Sequence, residues 1–97
     1  MKRTIELEAG KLLNRKDAHD YMSELFCFDH DYGRNLDALK DSLSEVTDDV
    51  DLILTREAVT AMCRSPYAFK ILMVLGKAGE ENPHLHVLFR DESEKKQ

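Results

Sequence analysis

The chain has no tryptophan, only two prolines, two cysteines and four glycines, and no long uninterrupted apolar run. Each scarcity excludes something. A membrane helix needs roughly 18 consecutive apolar residues, and none are present; the opening Met1-Lys2-Arg3-Thr4-Ile5-Glu6-Leu7-Glu8 also lacks the apolar centre of a secretory signal, so a cytosolic protein is expected. Cys27 and Cys63 stand 36 positions apart and form no C-x-x-C pattern, which argues against a disulfide scaffold or a zinc knuckle; both are expected to be buried free thiols. Positive charge is also short, with 14 Lys plus Arg against 19 Asp plus Glu and a net of -5, so general binding to nucleic acid or to an anionic membrane is not expected. No repeat or low-complexity tract is visible.

What is present is an acidic segment inside an otherwise nearly neutral chain. Between Asp29 and Asp51 lie eight acids and two bases, a net of -6, so the rest of the chain sums to +1. With 97 residues and 42% hydrophobic content, one domain is expected over residues 1–90, followed by a polar tail, 91–97, expected to be disordered.

The periodicities give an element order. Thr4 to Glu8 alternates apolar and charged residues as a short strand, closed by Ala9-Gly10. Asn14 and Asp17 form a capping pair for a helix whose inward set is Ala18, Tyr21, Met22, Leu25 and Phe26, ending near Cys27. A second helix runs from Leu36 to about Val46, and Leu52-Ile53-Leu54 reads as a central strand buried on both faces. Thr55 caps a short helix through Met62, with Ala58, Val59 and Met62 inward; Ser65-Pro66 then starts a helix that is apolar nearly all round. Gly76, Lys77 and Gly79 are expected to loosen and end it, and Leu85, Val87 and Phe89 alternate with His84, His86 and Leu88 as a last strand. The order β, α, α, β, α, α, β, with helical crossovers, predicts an α/β fold: a three-stranded parallel sheet with packed helices.

The densest chemical signal is Tyr32-Gly33-Arg34-Asn35-Leu36-Asp37-Ala38-Leu39-Lys40-Asp41. Gly33 supplies a residue able to turn at positive φ, Asn35 can cap the helix, and Leu36, Leu39, Leu43 and Val46 recur at helical spacing. The other face carries Asp37, Lys40, Asp41 and Ser44. Two aspartates at i and i+4 repel by roughly 0.2–0.5 kcal/mol on an exposed helix, which suggests a cationic partner outside it. Asp37 alone is accounted for by the helix dipole, whereas Asp41 lies beyond the first turn. Asp48, Asp49 and Asp51 read as a solvated charge run with a part in steering, and Tyr32 either packs or touches a partner.

Other constellations are weaker. His84 and His86 share a strand face, as a metal site would require, but no third ligand follows at local spacing. Asp29-His30-Asp31 has the composition of an oriented base without a nucleophile, and Gly76-Lys77-Ala78-Gly79 ends a helix where a phosphate loop should begin one. A small enzyme or metal-dependent factor built on His30, His84 and His86 is the rival to a binding protein. No cofactor or metal is expected, and no enzymatic activity.

On Tyr32-Gly33-x-Asn35-Leu36-Asp37-Ala38-Leu39-x-Asp41, the chain resembles the barstar family of intracellular ribonuclease inhibitors. The likeness extends more weakly through the opening strand, the first helix, the passage from Leu52-Ile53-Leu54 to Arg56, and the closing His86-Val87-Leu88-Phe89. It implies a three-stranded parallel sheet with several helices, and a protein that covers the active site of a basic microbial ribonuclease or nuclease toxin one to one. Asp41 matches the family residue that takes the phosphate position, and Asp37 its acidic neighbour. The implied contact set is Asp31, Tyr32, Gly33, Asn35, Asp37, Lys40, Asp41 and Ser44. Three positions depart from the pattern: Asp31 replaces a tyrosine, while Lys40 and Val46 stand where the family has tryptophan. Lys40 would partly neutralise the aspartates and can pair with an acidic group on a different nuclease, rejecting the wrong one. Lys77 stands nearest to the acid the family offers from its last helix, with Glu80 or Glu81 as substitutes. A regulatory module of the same fold, with a basic partner that is not a nuclease, is the alternative.

Overall fold

The computed structural model describes residues 2–91. In chain order the elements are β1 (Arg3–Glu6), a 3-10 turn (Ala9–Lys11), α1 (Arg15–Phe26), α2 (Leu36–Ser44), β2 (Val50–Thr55), α3 (Arg56–Arg64), α4 (Pro66–Glu81) and β3 (Leu85–Arg90). The strands are parallel in the order β1-β2-β3, with Ile5 opposite Leu52 and Leu52 opposite Val87. Parallel neighbours require long crossovers, which the helices provide. The α/β architecture with a central Leu52-Ile53-Leu54 strand is therefore as the periodicities predict. The tail expected at 91–97 lies, beyond Asp91, outside the described residues.

The helices cover one face of the sheet. Ile5, Val50, Leu52, Leu54 and Leu85 enter a common core with Met22 of α1, Leu39 and Leu43 of α2, Met62 of α3, and Ile71 and Leu75 of α4. Each Leu or Ile so buried contributes about 1.5–3 kcal/mol, and this packing sets where α2 lies. The other face is open, which corrects the expectation of a strand buried on both sides. Ile53 is only half-buried and Leu88 is 42% exposed, flanked by ion pairs Lys2–Asp51 and His86–Asp51 (both 3.1 Å) and Arg90–Glu6 (2.7 Å). A run of three apolar residues does not reveal that its middle member faces away from the helices.

Further corrections follow from local geometry. Both cysteines are exposed: Cys27 ends α1 in the left-handed conformation (φ 56°), and on α3 the inward positions belong to Ala58 and Met62, leaving Cys63 outside. Phe89, expected inward, is 68% exposed at the far end of β3, beside Leu54 and Val59. The Ser65 side chain makes no cap bond to α4, donating instead to the Leu13 carbonyl (3.3 Å), while Pro66 takes the first helical position. Nor do the glycines end α4, which runs to Glu81. A Cβ on Gly79 would lie 2.9 Å from Val87 Cγ2, so this glycine lets the helix approach β3 closely.

Asn82 ends α4 and ties three elements together. Its backbone N–H donates to the Ala78 carbonyl (2.9 Å), while Nδ2 donates to the carbonyls of Leu43 (2.8 Å), in the last turn of α2, and of Val46 (3.0 Å), just beyond it. Its Oδ1 accepts from the His84 N–H (2.9 Å), just before β3. Asn82 is 4% exposed, so water cannot replace these bonds freely. Asn82→Ala is expected to destabilise the fold by about 2–4 kcal/mol, on the scale of buried polar groups losing their partners. Urea denaturation checks this, and an unchanged midpoint would contradict it.

Candidate functional site

The sequence that leads into α2 is held from below by a buried histidine. His19 lies on the inner side of α1 and is 0% exposed; its Nδ1 is 2.6 Å from the Tyr32 hydroxyl and its Nε2 is 2.6 Å from the Tyr67 hydroxyl. A neutral imidazole offers one donor and one acceptor, and two hydroxyls satisfy both. Burial, then the nearby Arg15 and Arg34, push the His19 pKa down, with Asp20 opposing. Burial, with some contribution from Tyr67, pushes the Tyr32 phenol up to about 12. The network is thus held in its uncharged form. The Tyr32 ring also packs on Phe28, with centroids 4.7 Å apart, and Phe28 stacks on Phe26 at 5.8 Å. Tyr32 therefore packs, and its ring also walls the groove described below.

The turn itself differs from expectation. Arg34, not Gly33, takes the left-handed conformation (φ 57°), and no glycine among the described residues has positive φ. Arg34 is fixed by an ion pair with Asp20, and its carbonyl lies 3.4 Å from the Arg15 guanidinium. Gly33 serves another need: a Cβ there would come within 3.0 Å of Ala38 Cβ, in the first turns of α2. Asn35 caps that helix as its sequence position predicts, with Oδ1 accepting from the Ala38 N–H (2.8 Å).

On α2, Leu39 and Leu43 face the core and leave the opposite side to Asp37, Lys40, Asp41 and Ser44. Lys40 does not pair with the aspartates on its own helix. Its Nζ lies 2.7 Å from Glu81 Oε1 of α4, whose other oxygen is 3.7 Å from Lys77 Nζ. That contact with Glu81 raises the Lys40 pKa and lowers that of Glu81. Among the described residues, neither Asp37 nor Asp41 has an ion-pair partner. The Ser44 hydroxyl is turned back to the Asp41 carbonyl (2.7 Å).

A groove of about 510 Å³ lies between the loop after α1, one flank of α2 and the segment entering β2. It brings together Asp31, Tyr32, Gly33 and Asp41 from the expected set; Asn35, Asp37, Lys40 and Ser44 lie outside it on the turn and the outer side of α2. It adds Ala38 and Ser42 from α2, Glu45 at its C-terminal end, and Asp29 and Asp48 from the flanking loops. Five acids thus line it against one base, Arg3, whose guanidinium donates to the Leu25 carbonyl (2.6 Å). The spacing 38, 41, 42, 45 is a helical face readable in the sequence. The contacts by which His19, Tyr67 and Glu81 support the face were missed: Glu81 is readable only as a substitute acid of the last helix, Tyr67 only as part of an apolar helix, and His19 only by standing three residues before the core Met22.

The histidines of the rival reading sit elsewhere. His84 Nδ1 is 3.0 Å from Asp49 and His86 Nδ1 is 3.1 Å from Asp51, and these contacts hold both carboxyls below their usual range. His30 is exposed on the loop. Among the described residues, no cluster of three or more His, Cys, Asp or Glu is arranged to hold a metal. No helix among them is long and apolar enough to cross a membrane.

A family model described as Barstar (barnase inhibitor) matches residues 2–92. No curated protein matches the chain.

The buried histidine gives a pH dependence of definite sign. The folded pKa of His19 lies below the ordinary 6.5, so the unfolded chain takes up the proton first as pH falls. Its stabilisation is complete above pH 6.5 and is lost as pH drops through the window beneath. Asp49 and Asp51, held below the ordinary 3.8, lose theirs only in a lower window, as pH falls from the unfolded carboxylate value through the folded one. His19→Gln is expected to flatten the upper step and leave the lower one, in chemical denaturation repeated across pH. An unaltered upper step would assign it to another group.

Proposed function

The chain belongs to the barstar family of barnase inhibitors, and on that premise we propose that it inhibits a basic microbial ribonuclease, barnase-like or a related nuclease toxin. It binds one to one in the cytoplasm, without cofactor or direct contact with nucleic acid, by laying α2 and the preceding loop over the active site. The proposed contacts are Asp31, Tyr32, Gly33, Asn35, Asp37, Lys40, Asp41 and Ser44, with Asp41 central and Gly33 and Asn35 acting through the geometry of the turn.

The observation that carries this reading is Asp41 itself, exposed at the edge of an acidic groove, on a packed helix, with no ion-pair partner among the described residues. A ribonuclease binds phosphates with Arg, Lys and His. A carboxylate presented where the phosphate would sit meets the same donors in charge-assisted hydrogen bonds. Because the carboxylate rides on a helix whose cap, turn and tyrosine anchor are already formed, little conformational freedom is lost on binding. The acids of the groove add attraction at longer range, which raises the rate of encounter more than it strengthens the final complex.

Asp41→Ala is expected to weaken inhibition at least about a hundredfold, the scale of removing one member of a desolvated charge pair, while the denaturation midpoint stays nearly unchanged. Titration into activity assays of barnase-like ribonucleases checks this. Equal inhibition by the parent and the variant would remove Asp41 from the centre of the contact. The association rate is expected to fall as salt rises, since screening acts over about 10 Å at 0.1 M. A rate independent of salt, measured by stopped flow, would exclude steering by the acidic groove.

A further inference from the structure

Lys40 and Glu81 form a cross-brace between α2 and α4 on the same side as Asp37 and Asp41, and both side chains are partly exposed, 36% and 44%. Glu81 also touches Lys77, so two cations share one carboxylate and the group carries a net +1 beside the unpaired aspartates. The face is therefore bipolar: five acids against one base in the groove on one flank of α2, and a cationic knot on the other. An exposed pair of this kind adds little to folding, because solvent screens it and holding two long side chains costs entropy. Its larger consequence is for whatever docks on α2. A partner whose cations extend past Asp41 meets Lys40, whereas one whose basic region stops there, or is bordered by a carboxylate, does not.

We propose that the Lys40–Glu81 pair is the selectivity element of this face: Lys40 repels ribonucleases with an extended basic cleft, and Glu81 sets how much of that repulsion is felt. The proposal rests on the inhibitor reading and adds to it the class of nuclease accepted. Its charge logic makes the two members act in opposite directions. Removing Lys40 removes the repulsion and uncovers Glu81 as a further acid; removing Glu81 leaves Lys40 uncompensated except by its neighbouring aspartates. A merely structural ion pair would respond in the same direction to the loss of either member.

The experiment is measurement of the dissociation constant for barnase with the parent chain and the variants Lys40→Gln, Glu81→Gln and Asp41→Ala. Lys40→Gln is expected to tighten binding by about fivefold and Glu81→Gln to weaken it by a similar factor, the scale of an exposed charge pair. Shifts in the same direction, or both below twofold, with Asp41→Ala still weakening binding about a hundredfold or more, would overturn the proposal and leave the inhibitor reading intact. Failure of the parent and of Lys40→Gln alike to bind would overturn the claim that Lys40 decides acceptance. Binding unaffected by Asp41→Ala would take Asp41 out of the contact and overturn the proposal, which places Lys40 beside it, while leaving inhibition by another surface to be judged separately.

Discussion

The geometry of the candidate face depends on one buried contact: His19 held between the hydroxyls of Tyr32 and Tyr67, 2.6 Å from each. The loop from Phe28 to Asn35 joins two helices and crosses the surface, where a chain of its polarity would ordinarily be mobile. Tyr32 anchors it near its middle to α1 through His19 and, through the same ring, to α4 by way of Tyr67. Once that anchor is set, Arg34 turns the chain against Asp20, Gly33 fits over Ala38, and Asn35 caps α2. Burial favours the uncharged imidazole, which can donate to one hydroxyl and accept from the other.

The second constraint is electrostatic. Elsewhere the chain pairs many of its exposed charges across elements, as in Lys2–Asp51, Arg90–Glu6 and Arg34–Asp20. On α2 and around the groove that pattern lapses. Asp37 and Asp41 have no ion-pair partner among the described residues, and the one lysine between them is committed to Glu81 of another helix. Leaving like charges unpaired one turn apart is unfavourable in the free protein and becomes favourable when a cationic surface meets them. A neutral scaffold with a local surplus of carboxylates is the charge distribution a binding face for a basic enzyme requires.

Much of the architecture was legible in the sequence because it rests on periodicity. Leu36, Leu39 and Leu43 place α2, Asn35 marks its start, and the apolar run at Leu52 identifies the central strand. Those signals are local. The misreadings involve contacts between residues distant in the chain: Ile53 faces the uncovered side of the sheet, Lys40 finds Glu81 rather than its own aspartates, and Gly79 accommodates Val87 rather than ending a helix. The buried histidine was hidden for the same reason, since Tyr32 and Tyr67 stand 13 and 48 positions from it. The family likeness added the expected function of Asp41 and Asp37, which no helical pattern by itself conveys.

The most direct test of the central claim is hydrogen exchange on the complex with an inhibited ribonuclease, comparing amide protection with that of the free chain. Added protection is expected from Asp31 through Glu45, with the open sheet face around Ile53 and Leu88 unchanged. Inhibition accompanied by protection confined to that sheet face, or to β3, would contradict it.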